Sequence, residues 1–185
     1  MPSLYAVVVS GALAVSLPAL GAGAQAEHET RIPEPSQVAR AVVILVPLDI
    51  QTRYPLRESH LLKHTGCTFQ SNWDGEKIAA LVNLLKDNVT VTPEGVGYIT
   101  LRNLVYLHLV DGSRVKFMFG RRETAKDEVP GGMDNGNSGS YVPLLANTAL
   151  LDGLRDWALP LAPRTIFPLA CLSKSGDRPR PKPWE

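Results

Sequence analysis

An α+β domain is what this sequence predicts: a mostly antiparallel sheet of about four or five strands with two or three helices packed on it. Three observations carry that expectation. Residues 99–119 alternate apolar and polar side chains through a tight turn, the pattern of a half-buried hairpin. Residues 75–88 place Ile78, Leu81, Val82 and Leu85 at i, i+3, i+4 and i+7, the pattern of a helix with one apolar stripe. Val42-Val43-Ile44-Leu45-Val46 is a continuous, largely β-branched run, as in a strand buried on both faces. In chain order the elements read β-α-β-α-β-β-α.

The first charge is Glu27. Before it lie an apolar centre (Val7-Val8-Val9, Leu13-Ala14-Val15, Leu17), then Pro18 and small residues ending in Ala24-Gln25-Ala26. This reads as a secretory signal peptide over residues 1–26, with cleavage before Glu27. The other reading is a retained N-terminal anchor, since about 20 uncharged residues are long enough to span a bilayer. Pro18 and glycines at 11, 21 and 23 argue against it, as does the missing basic flank. The mature chain is then expected in a secreted or periplasmic setting, not membrane-spanning. At about 160 residues it suits a single domain with a real core. A flexible lead-in covers residues 27–40, the domain residues 41–172, and a Pro-rich basic tail residues 173–185.

Strand one is expected within residues 41–50, in the run Val42 to Val46 that ends at Pro47. A short helix over residues 56–65 turns Leu61 and Leu62 inward and stops at Gly66. Residues 67–71 read as a second strand. Asp74 supplies an N-cap for the helix over residues 75–88. In the hairpin, a two-residue turn on Asp111-Gly112 would set Leu109 opposite Arg114, apolar against basic along the whole pair. A three-residue turn on Val110-Asp111-Gly112 instead pairs Leu109 with Ser113, Leu107 with Val115 and Val105 with Phe117. It keeps one face apolar and gives Gly112 the left-handed position. Residues 123–141, with Gly131-Gly132 and the Gly/Asn/Ser run after Asn135, read as a long polar, mobile connection. Asn147 then caps a helix to about Leu159, with Leu150, Leu151, Leu154 and Trp157 on one face.

Cys67 and Cys171 are the two cysteines of the chain. In an exported protein they are expected to pair. The bond would fasten a C-terminal strap to the first third of the domain. It would close a loop of about 100 residues, worth about 4–5 kcal/mol in the chain-entropy argument.

Nineteen basic and eighteen acidic residues leave a net charge of +1. That balance gives no electrostatic case for nucleic acid. Chemistry-bearing motifs are sparse, and no cofactor is implied. His60 and His64 share a helical face one turn apart, a spacing that suits zinc, but Leu61 stands where a metalloprotease has its glutamate. Gly136-Asn137-Ser138-Gly139-Ser140 has Ser where a nucleophile elbow needs its last Gly. Asp134, Asn135 and Asn137 do not follow the EF-hand spacing. Asn88-Val89-Thr90 is a glycosylation triplet. The hairpin's polar face carries Arg102, Tyr106, His108, Arg114 and Lys116, a mixed aromatic and basic surface of the kind interfaces favour.

The expectation is therefore an exported, non-catalytic module that binds another protein, in the manner of an inhibitor or immunity factor. Beside it stand a hydrolase using His60 and His64 with a metal, and an envelope-associated protein with a retained anchor.

Overall fold

Parity decides the hairpin. In the computed structural model, which describes residues 32–47, 54–93, 96–97, 99–121, 127–136, 141–162 and 170–174, Leu107 pairs with Val115 and Val105 with Phe117. The Leu109 N–H donates to the Ser113 carbonyl at 2.9 Å, and Gly112 takes φ +85°. The three-residue turn is the one formed. Only it keeps Val105, Leu107, Val115, Phe117 and Phe119 on a single buried side.

Among the described residues, the sheet around this hairpin has seven strands, not four or five. They are β1 Val38–Leu45, β2 Cys67–Asn72, β3 Val89–Val91, β4 Asn103–Leu109, β5 Arg114–Phe119, β6 Glu128–Asp134 and β7 Val142–Asn147. Their order is β2-β1-β4-β5-β6-β7-β3, and every neighbouring pair is antiparallel. Two of the unexpected strands, β6 and β7, extend the hairpin side of the sheet. Residues 128–134, expected within a polar connection, are strand because their glycines serve packing. A Cβ on Gly132 would lie 2.7 Å from the Tyr141 ring, and one on Gly131 would lie 2.9 Å from the Phe119 ring. Pro130 is tolerated there because its carbonyl accepts from the Gly120 N–H just past the end of β5. The missing N–H therefore falls outside the β5–β6 ladder.

Helix α1, Gly75–Asn88, runs as expected, with the Asp74 carboxylate accepting from the Lys77 N–H. It joins β2 to β3, the two opposite edges of the sheet. Its fourteen residues make a helix about 21 Å long. Helix α2, Thr148–Ala158, is capped by Asn147 and lies beside α1. The Trp157 indole N–H donates to the Lys77 carbonyl at 2.8 Å, and Gly153 admits the Leu84 side chain. The main core lies between these helices and one sheet face, around Val43, Leu81, Leu107, Phe117 and Leu154.

Cys67 on β2 and Cys171 form a disulfide, with Cα atoms 6.2 Å apart. The buried Arg155 guanidinium reinforces this attachment, donating to the Leu151 carbonyl at 2.7 Å and the Ser173 carbonyl at 3.0 Å.

The other face of the sheet holds a second, smaller core. Val42, Ile44, Leu104 and Tyr106 are covered there by Leu56 and Leu61. The covering segment is a helical turn, Glu58–His60, continued as a π turn, Leu61–Thr65. Wider winding turns Leu61 inward but leaves Leu62 53% exposed, against the expectation that both face the core. Strand β1, Val38–Leu45, is thus buried on both sides. Among the described residues no helix is long and apolar enough to cross a membrane; residues 1–31 lie outside the described residues.

Candidate functional site

Antiparallel register writes the second sheet face as rows across the strands. One row reads Asn72, Arg40, His108, Arg114 across β2, β1, β4 and β5. The next reads Gln70, Val42, Tyr106, Lys116, Asp134 and continues onto β6. The helical turn then lays Glu58 against the second row. These rows and the turn enclose a groove of about 300 Å³. Arg40, His108, Arg114 and Gln70 line it, over an apolar part formed by Val42, Ile44 and Leu62.

At its inner wall the polar groups pair with each other. The Tyr106 hydroxyl donates to Glu58 Oε1 at 2.6 Å. The Lys116 ammonium lies 3.1 Å from Glu58 Oε2 and 3.1 Å from Asp134 Oδ2. Burial alone would raise the Glu58 pKa; the Tyr106 and Lys116 hydrogen bonds and the charges of Lys116 and Arg114 outweigh it and hold Glu58 ionised below its usual range. Asp134 is held low by the Gly136 N–H and by Lys116. Burial opposes charge on Lys116, yet its two carboxylate partners leave its pKa raised. Tyr106 is pushed well above 10.0 by burial and by the Glu58 hydrogen bond, so it stays a phenol.

The outer row differs. Arg40 Nη2 and His108 Nε2 are 2.9 Å apart. Because a guanidinium only donates, Nε2 is the acceptor and the imidazole carries its proton on Nδ1. Burial, then Arg40 and Arg114, lower the His108 pKa, so the ring is neutral near pH 7. The Arg114 guanidinium lies over the Tyr106 ring, 5.1 Å from its centroid. Among the described residues, neither Arg40 nor Arg114 has a carboxylate within ion-pair distance.

This arrangement is poorly suited to proton transfer and well suited to holding an anion. The Tyr106 hydroxyl donates its hydrogen bond to Glu58, Lys116 is clamped between two carboxylates, and the basic nitrogen of His108 is occupied by Arg40. What remains available is the set of N–H donors on Arg40 and Arg114.

Of the residues expected on an open polar hairpin face, Tyr106, His108 and Arg114 do line the groove. Tyr106 is 5% exposed, because the helical turn covers it, and Lys116 lies behind it in the ion network. Arg102 stands away, beyond Leu104 on the same strand side, and is half-buried. Arg40, Glu58 and Asp134 were not expected here; β1 pairs with β4 only through the tertiary fold. His60 is exposed and accepts from the Arg57 N–H at 3.3 Å, a local cap of its own turn. The His64 side chain lies outside the described residues, as do residues 137–140 of the Gly/Asn/Ser run. Among the described residues no group of three or more His, Cys, Asp or Glu side chains is placed to hold a metal ion.

No protein-family model, curated protein or solved structure matches this chain.

Proposed function

We propose that this protein is an exported, non-catalytic binding module that takes an acidic protein partner on the groove of the second sheet face. The observation that carries this reading is the outer row. Two arginines flank a neutral histidine at the surface, with no carboxylate against either among the described residues. Guanidinium pairs of this kind favour carboxylate recognition, and an adjoining apolar patch supplies area that excludes water. Exposed Leu62 at the groove adds apolar area beside the arginines. Export is supported by the leader-like residues 1–26 and by the disulfide.

The test uses the mature chain as bait in extract of its native compartment, beside a folded Arg40→Glu/Arg114→Glu variant. The partner is then purified and its affinity measured directly. The reading expects an acidic protein whose affinity falls at least about tenfold with the double reversal and weakens with added salt. Unchanged affinity in the variant refutes it.

A further inference from the structure

We propose that the element recognised on that partner is a single carboxylate flanked by apolar side chains. It would be an aspartate or glutamate seated between Arg40 and Arg114 above His108, with its neighbours against Leu62 and the edge of Val42. This rests on the binding reading and names the chemistry of its contact.

Charge gives the valence. Around the groove stand the cations Arg40, Arg114 and Lys116 and the carboxylates Glu58 and Asp134, both already against Lys116. One monoanion closes that balance. A dianionic phosphate would leave excess negative charge beside Glu58, which lines the wall. Geometry gives the seat. Arg40 and Arg114 lie on strands separated only by β4, with His108 between them. Two strand spacings put their Cα atoms about 10 Å apart, so both forks can converge on one carboxylate over the imidazole. Size gives the extent. A volume of about 300 Å³ is at the small end for ligand sites, enough for one or two side chains and too small for a folded loop.

Seating is linked to protons. The charged and titratable groups facing His108 are Arg40 from β1, Arg114 from β5, Tyr106 on its own strand and Glu58 on the turn. Burial, then the two arginines, disfavour a charged ring in the free protein. A carboxylate placed between the arginines reverses their field and draws the Arg40 guanidinium from Nε2 to itself, so the ring in the bound state takes up a proton on Nε2 more readily. Affinity then rises as pH falls from 8 to 6.

The experiment titrates the mature chain with acetyl-Leu-Glu-Leu-amide, its Gln counterpart, hexanoate and inorganic phosphate, followed by NMR shifts of the His108 ring and Leu62 methyls. Expected are saturable shifts with the Glu peptide and at least about tenfold weaker binding for the Gln peptide. R40Q and R114Q should each lose about tenfold. The gain in affinity between pH 8 and 6 should flatten in His108→Asn. Equal binding of the Gln peptide overturns the inference, as does hexanoate or phosphate binding as tightly as the Glu peptide. If no peptide binds while the double charge reversal still abolishes partner affinity, this inference falls and the binding reading stands. If the Glu peptide binds as described and the partner ignores the reversal, the binding reading falls instead.

Discussion

Breaking the Cys67–Cys171 bond should cost most of the stability of a domain this size. The cysteines are 104 residues apart, and releasing a closed loop of that length returns about 4.7 kcal/mol of chain entropy to the unfolded state. Both side chains are buried, Cys67 at 7% and Cys171 at 0% exposure. Substituting alanine at both therefore also leaves a void, worth on the order of 1 kcal/mol. Arg155 and the Lys174–Asp156 ion pair still hold Ser173 and Lys174 to α2. They order the native strap but do nothing to shorten the unfolded chain. The expected loss for Cys67→Ala/Cys171→Ala is thus about 5–6 kcal/mol. In urea, with a slope of about 2 kcal/mol/M, the midpoint should fall by roughly 2.5–3 M. Urea unfolding followed by circular dichroism measures this, with thiol titration confirming that the parent is oxidised. A loss under about 1 kcal/mol would refute the loop-entropy reasoning. So would hydrogen exchange in which only amides at 170–174 lose protection, since that describes a strap that frays without burdening the rest.

Lys116→Met leaves Glu58 and Asp134 on one wall without their shared cation. The site is partly exposed, so the expected destabilisation is about 1–3 kcal/mol, read from urea melts; adding Glu58→Gln should recover part of it. Arg155→Met removes two donors from the Leu151 and Ser173 carbonyls. It should cost about 1–3 kcal/mol and speed amide exchange near residue 173. Stability against pH has two steps. His108 has a folded pKa below its ordinary 6.5, so its contribution is full above pH 6.5 and is lost as pH falls from there toward the folded value. Glu58 and Asp134 are lowered from 4.5 and 3.8, so their contribution holds above those values and is lost as pH falls through the folded ones. Thermal melts from pH 8 to 2 should show both steps, and the upper one should vanish in His108→Asn.

Local patterns proved reliable wherever one periodicity faced one core. Helix α1 spans Gly75–Asn88 because its stripe, its Asp74 cap and its polar outer face all agree. The hairpin register followed from parity alone, because the competing turn would have buried arginines and lysines. The paired cysteines followed from their number and setting. Strands β6 and β7 were obscured by Gly131, Gly132, Pro130 and Pro143, residues that signal turns in isolation. In the fold those glycines make room for Phe119 and Tyr141. Leu62 misled for a related reason: an ordinary helix would bury it beside Leu61, but the π turn rotates it outward.

By itself the sequence determined the α+β class, two helices with their caps, the hairpin and its turn, and the disulfide. Each is set by neighbours in the chain or by a requirement so simple that few alternatives satisfy it. Only the tertiary structure decided which strands stand beside one another. That choice sets Arg40 next to His108 across 68 residues and Glu58 beside Tyr106 across 48. Strand order depends on contacts between segments remote in the chain, where one buried surface must match another, and no periodicity within either segment records its partner.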